Sequence, residues 1–141
     1  MGRVKFPYLP IDIFNSSGKV VSRIMRPYIP IRLSIHHSNP SNIVDALVDS
    51  GSDRYLFPRQ WGDMLGINFK KIKPIKIGGI GKVEITAYSS KVNIWVDGQK
   101  YPTNADFSPE QQTPLLGRSG FFNLFKEVIF DEKVGCLYIT L

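Results

Sequence analysis

Apolar residues along the chain fall in short runs rich in Ile, Val, Tyr and Phe, broken repeatedly by Pro and Gly. That is the punctuation of a β protein. From Tyr28 to His36 the alternation places Ile29, Ile31, Leu33 and Ile35 on one face of a strand. Tyr8 to Phe14 reads as an earlier strand with Pro10 at its edge, followed by a turn at Ser16-Ser17-Gly18. After a turn at 39–42, Ile43 to Val48 forms a short apolar strand that runs straight into Asp49-Ser50-Gly51. A short helix is expected next, with Pro58 in its first turn, Trp61, Met64 and Leu65 on one face, and Gly66 at its stop. Strands return over Phe69 to Ile77 and Val83 to Tyr88, around a glycine-rich tip at 78–81. Lys91 to Val96 and Tyr101 to Phe107 flank Asp97-Gly98, a hairpin turn signal. Arg118 to Lys126 is expected to be a second helix burying Phe121, Phe122 and Phe125; Val128 to Phe130 and Cys136 to Thr140 form a last hairpin. The expected class is all-β with one or two short helices, in a single domain over 1–141, with residues 1–26 as an N-terminal extension strand.

Composition sharpens this picture only in places. The 141 residues, 43% hydrophobic and 21% charged, suit one globular domain and not a disordered chain. The single Cys136 allows no internal disulfide and is expected to pack in a strand. No apolar run is long enough for a membrane helix, and Met1 to Lys5 is not followed by a signal-peptide apolar region. A soluble, cytoplasmic protein with no membrane partner is therefore expected. The net charge of +6 could suit a polyanion, but the densest basic stretch, Lys70, Lys71, Lys73 and Lys76, has little aromatic interleaving. It reads as a solvated face, so nucleic acid is not an expected partner. His36 and His37 point to opposite faces of a strand and cannot share a metal; no metal or cofactor is expected.

The informative point is Asp49. An apolar strand, Ala46-Leu47-Val48, delivers a carboxylate into a tight turn, where Ser50 and Gly51 supply a hydroxyl and a closely approachable backbone. Acid–base groups are built in such settings. By itself the tripeptide also fits a simple Asx turn after a strand. Its surroundings decide between the two. Val48-Asp49-Ser50-Gly51-Ser52-Asp53 resembles the active-site loop of the retroviral-type aspartic proteases, the retropepsins, whose pattern is apolar-D-[ST]-G-A-D. Downstream, Ile77-Gly78-Gly79-Ile80-Gly81 is similar to that family's flap, and Leu115-Leu116-Gly117-Arg118 to its paired apolar residues followed by G-R. Ser50 and Ser52 stand where Thr and Ala are commoner. The stretches before Asp49 and after Gly117 are longer than in the viral enzymes and look more like those of cellular and prokaryotic retropepsin-like domains.

The resemblance implies a small closed β-barrel and an aspartic endopeptidase in which Asp49 is catalytic. It also implies that Ser50 braces the opposite loop, that Gly51 lets substrate backbone lie close, and that residues 76–84 form a flap over an extended peptide or unfolded protein. It further implies an ion pair between Asp53 and Arg118 beneath the site. This chemistry needs two carboxylates sharing one water and one proton. The chain holds one D-[ST]-G: Asp97-Gly98 lacks the hydroxyl residue and Asp45-Ala46 lacks the glycine. The second carboxylate is therefore expected from Asp49 of a second chain, making the protein a homodimer. The rival expectation is a non-catalytic member of the same fold that binds peptides or proteins.

Overall fold

The computed structural model describes residues 2–78, 81 and 83–141. Twelve strands and one α-helix occur among them, in the order β1 (Arg3–Pro7), β2 (Leu9–Phe14), β3 (Val20–Arg26), β4 (Tyr28–Ser34), β5 (Val44–Val48), β6 (Leu56–Pro58), α1 (Arg59–Leu65), β7 (Ile75–Gly78), β8 (Glu84–Val96), β9 (Gln99–Ser108), β10 (Leu115–Leu116), β11 (Glu127–Asp131) and β12 (Cys136–Thr140). The main sheet runs β4-β5-β10-β6-β9-β8-β7, and β4 also pairs with β8. That pairing, Arg32 with Trp95 and Leu33 with Ile94, closes a six-stranded barrel and leaves β7 outside it on β8. Closure removes the exposed edges that would otherwise invite aggregation.

Two-residue alternation fills the barrel. Ile29, Ile31 and Leu33 of β4 point inward, as do Val92, Ile94 and Val96 of β8, meeting Ala46, Val48, Phe57, Phe107 and Leu116 in one buried cluster. Each large side chain buried this way contributes roughly 1.5–3 kcal/mol. Asn93 is buried too, but its amide donates to Ser34 Oγ (3.2 Å) and to the His36 carbonyl (3.0 Å). A second sheet, β1-β12-β11, packs Phe6, Leu137 and Ile139 into the same core. Cys136 is buried there at the start of β12.

Several sequence expectations shift. The strand expected to reach His36 ends at Ser34: His36 has φ +51° and lies in a turn with His37. The helix ends as expected at Gly66 (φ +83°), yet Met64 faces solvent and the buried position is Gly62, where a Cβ would strike the Phe69 ring. The strand expected over Phe69 to Ile77 is a 3-10 turn, Phe69–Lys71, followed by β7 alone. Asn68 caps that turn, its side chain accepting from the Lys70 amide. Val83 to Tyr88 and Lys91 to Val96 form one long strand, β8, and Asp97 and Gly98 both take positive φ at its hairpin turn. No second α-helix forms over 118–126. Gly120 sits at φ +101° with Tyr55 pressed against it, so only the short 3-10 turn Phe122–Leu124 remains. Phe121 and Phe125 are nonetheless buried, as the spacing expected.

Candidate active site

Asp49 stands at the end of β5, where the strand leaves the barrel. Its amide donates to the Leu116 carbonyl (3.0 Å), continuing the parallel pairing of Leu47 with Leu115 and Val48 with Leu116. The half-buried carboxylate accepts from the Gly51 amide at 2.9 Å, and a Cβ on Gly51 would come within 3.2 Å of the same oxygen. The loop thus has the hydrogen bond of an Asx turn, and glycine at position 51 leaves the carboxylate accessible. Ser50 is exposed, and its hydroxyl has no partner among the described residues.

The loop is clamped from below by the stretch that follows β10. Arg118 N donates to Ser52 O (2.8 Å) and Ser119 N to Asp53 O (2.7 Å), while Ser52 Oγ donates to Arg54 O (2.8 Å). Gly117 has no alternative here: a Cβ would lie 2.3 Å from the Arg54 carbonyl oxygen. The glycine of the apolar-apolar-Gly-Arg stretch is therefore a packing requirement of the site. The structure corrects one detail. Asp53 and Arg118 lie on the two hydrogen-bonded stretches and flank a common surface hollow, but both side chains are exposed and form no ion pair.

The charge pairing lies one residue further on and was not foreseen. Arg54 Nη2 donates to Asp106 Oδ1 (2.7 Å) and to Ser89 Oγ (2.9 Å), tying the loop to β9 and β8. The Asp106 side chain is 2% exposed and that of Arg54 45%. Burial pushes the Asp106 carboxyl up, and the Arg54 guanidinium and Ser89 hydroxyl pull it back only in part. One sequence signal existed: Asp106 interrupts a buried run between Ala105 and Phe107.

Asp49, Gly51, Ser52 and Asp53 form one wall of a cleft of about 490 Å³. The opposite wall is the β7–β8 hairpin, through Ile75, Ile77, Gly78, Val83 and Ile85. Gly81 lies in the turn of that hairpin with φ +79°. Gly79 and Ile80, also expected there, lie outside the described residues. Arg54 and Asp106 reach the same cleft, and Leu115 lines it while Leu116 is buried behind. Among the described residues no group of three His, Cys, Asp or Glu side chains is placed to hold a metal. No helix there is long and apolar enough to cross a membrane.

The sequence matches no protein-family model and no curated protein. The fold does find relatives among solved structures. It is similar to a retropepsin-like aspartic protease from Rickettsia conorii (TM-score 0.65, 17% identity), over 98% of this chain and 89% of that one. It is also similar to EIAV protease complexed with the inhibitor HBY-793 (TM-score 0.52, 22% identity), over 66% of this chain and 82% of that one. The chain has the retropepsin-like fold.

Proposed function

We propose that the protein is an aspartic endopeptidase that works as a homodimer, each chain supplying one Asp49. The observation that carries this reading is the placement of Asp49: at a strand end, in a glycine-relieved loop, facing a cleft walled by a hairpin. A cleft with the apolar β7–β8 hairpin on one side, beside the open edge of β7, suits an extended peptide bound as an added strand. One Asp49 carboxylate, ionised, takes a proton from a water lying between the two. The water oxygen bonds to the scissile carbonyl carbon, while the other, protonated Asp49 donates to the carbonyl oxygen. The tetrahedral intermediate then collapses with a proton passed to the leaving nitrogen, and the C–N bond breaks. Ser50, exposed and without a hydrogen-bond partner among the described residues, is free to brace the partner's loop. The β7–β8 hairpin acts as the flap that closes over the peptide and excludes water.

Asp49→Asn is nearly isosteric and cannot act as the base. It should retain the wild-type melting temperature and lose cleavage of an unfolded protein across the pH range. Cleavage persisting in the folded variant would overturn the proposal. A wild-type dimer that binds unfolded protein but never cuts it would point to the non-catalytic binding role.

A further inference from the structure

The least explained part of the fold is the ribbon made by β2 and β3. Leu9 pairs with Arg26, Ile11 with Ile24, Asp12 with Arg23 and Ile13 with Ser22, with a bulge at the far end. These two strands join neither of the other sheets, pack only marginally on any other element, and contribute no residue to the buried core. Isolated two-stranded ribbons are marginally stable in water. Pleating separates the two faces. One carries Leu9, Ile11, Ile13 and Ile24, with Ser22 and Arg26 beside them; Ile24 is exposed and the three β2 side chains are half-buried. The other carries the Asp12–Arg23 ion pair (2.7 Å) beside Met25. Phe14, Val20 and Val21 at the far end are also exposed. An apolar face on an unsupported ribbon is a surface built to be covered.

Its location says by what. The ribbon returns to the barrel at Pro27, whose carbonyl accepts from the Val48 amide at 3.0 Å, one residue before Asp49. The arm therefore springs from the neighbourhood of the carboxylate that must meet its counterpart. The terminal strands are already engaged within the chain, β1 pairing with β12 from Arg3 opposite Thr140 to Pro7 opposite Cys136. We infer that the β2–β3 ribbon is the dimer arm, which lays its Leu9/Ile11/Ile13/Ile24 face on a second copy of the chain and so holds the two Asp49 loops together. This rests on the two-chain site proposed above.

The test compares the wild type with three variants by sedimentation equilibrium, thermal unfolding and peptide cleavage. Ile11→Asp with Ile24→Asp charges the apolar face. A second variant replaces residues 10–25 by Asn-Gly, joining the paired positions Leu9 and Arg26 by a two-residue turn, and so covers the case in which the charged ribbon misfolds. Asp12→Ser with Arg23→Ser alters the opposite face as a control. Expected are a wild-type dimer, at least a tenfold weaker dimer with parallel loss of cleavage in the first two variants, an unchanged melting temperature of the monomer, and a control that behaves as wild type. Either ribbon variant dimerising as tightly as wild type overturns the inference, and so does a control weakened as much as the apolar variants. A wild-type monomer that sediments with anionic phospholipid vesicles through the ribbon would assign the face to a lipid surface and overturn it as well. If the arm variants lose the dimer while Asp49→Asn still cleaves, the arm stands and the protease reading falls.

Discussion

Arg54 is the residue on which the candidate site leans hardest, because it compensates a carboxylate that water hardly reaches. Burial holds the Asp106 carboxyl above its ordinary range. An aspartate with a raised folded-state value costs stability as pH climbs from the unfolded value through the folded one; below that window the cost is absent. Arg54→Met removes the opposing pull, so the Asp106 carboxyl rises further and the window widens. The variant should lose about 3 kcal/mol near neutral pH, the low end for breaking a buried pair because the guanidinium is nearly half exposed. Most of that deficit should vanish in acid solution, below the range in which the raised Asp106 carboxyl takes up its proton. Urea unfolding under both conditions checks this, and an equal loss in both would refute it. Sequence alone shows Asp49 and its Ser-Gly turn because an apolar strand delivering a carboxylate is a local pattern. The Arg54–Asp106 pair spans 52 positions and arises only when β6 lies beside β9. The likeness to the retropepsin pattern placed the ion pair at Asp53 and Arg118. The fold instead spends that proximity on two backbone hydrogen bonds, from Arg118 N to Ser52 O and from Ser119 N to Asp53 O.

At the scale of elements, the apolar pattern found β4, β5 and β9, split β8 in two and missed β6, and it failed outright where a turn imitates a periodic element. Residues 118–126 carry three Phe at helical spacing, but Gly120 takes a left-handed backbone, and a Cβ there would lie 2.6 Å from the Tyr55 ring. The aromatic cluster of Tyr55, Phe121 and Phe125 then packs edge to face without a helix. Strand β3 also escaped notice: the apolar residues of Val20 to Arg26 fall on no single face, so no alternation marks it. The β7–β8 hairpin was legible because glycines cluster at its tip between two apolar runs. Its proposed role as flap predicts an unusual separation of stability from activity. A Cβ at Gly81 meets no atom of the described residues within 4 Å, so the main cost of Gly81→Val is backbone strain, about 1 kcal/mol. An exposed tip relaxes such strain locally, so the melting temperature should move by no more than about 4 °C. Peptide cleavage should fall at least tenfold. A variant that unfolds outright, or one that cleaves normally, would remove the hairpin from the mechanism.

For the whole molecule, the decisive feature is that the chain carries half of the proposed chemistry. The 16.0 kDa chain presents one D-S-G loop on its cleft, and the proposal takes the second carboxylate from another copy. That predicts a signature in mixtures. When wild-type and Asp49→Asn chains are combined in equal amounts and allowed to exchange subunits, about a quarter of the dimers pair two wild-type chains and about half are mixed. Before mixing, every wild-type chain sat in an active dimer. Afterwards only half do, because a mixed dimer has one carboxylate and cannot divide the roles of base and acid. Cleavage per wild-type chain should therefore drop to about half, and to about a tenth with a ninefold excess of the variant. Monomers acting alone would be indifferent to the added chain, and so would dimers whose two sites work independently, since each wild-type Asp49 would keep its full output. Following activity as the ratio of variant to wild type rises separates the shared site from both alternatives, and a flat titration would rule the shared site out.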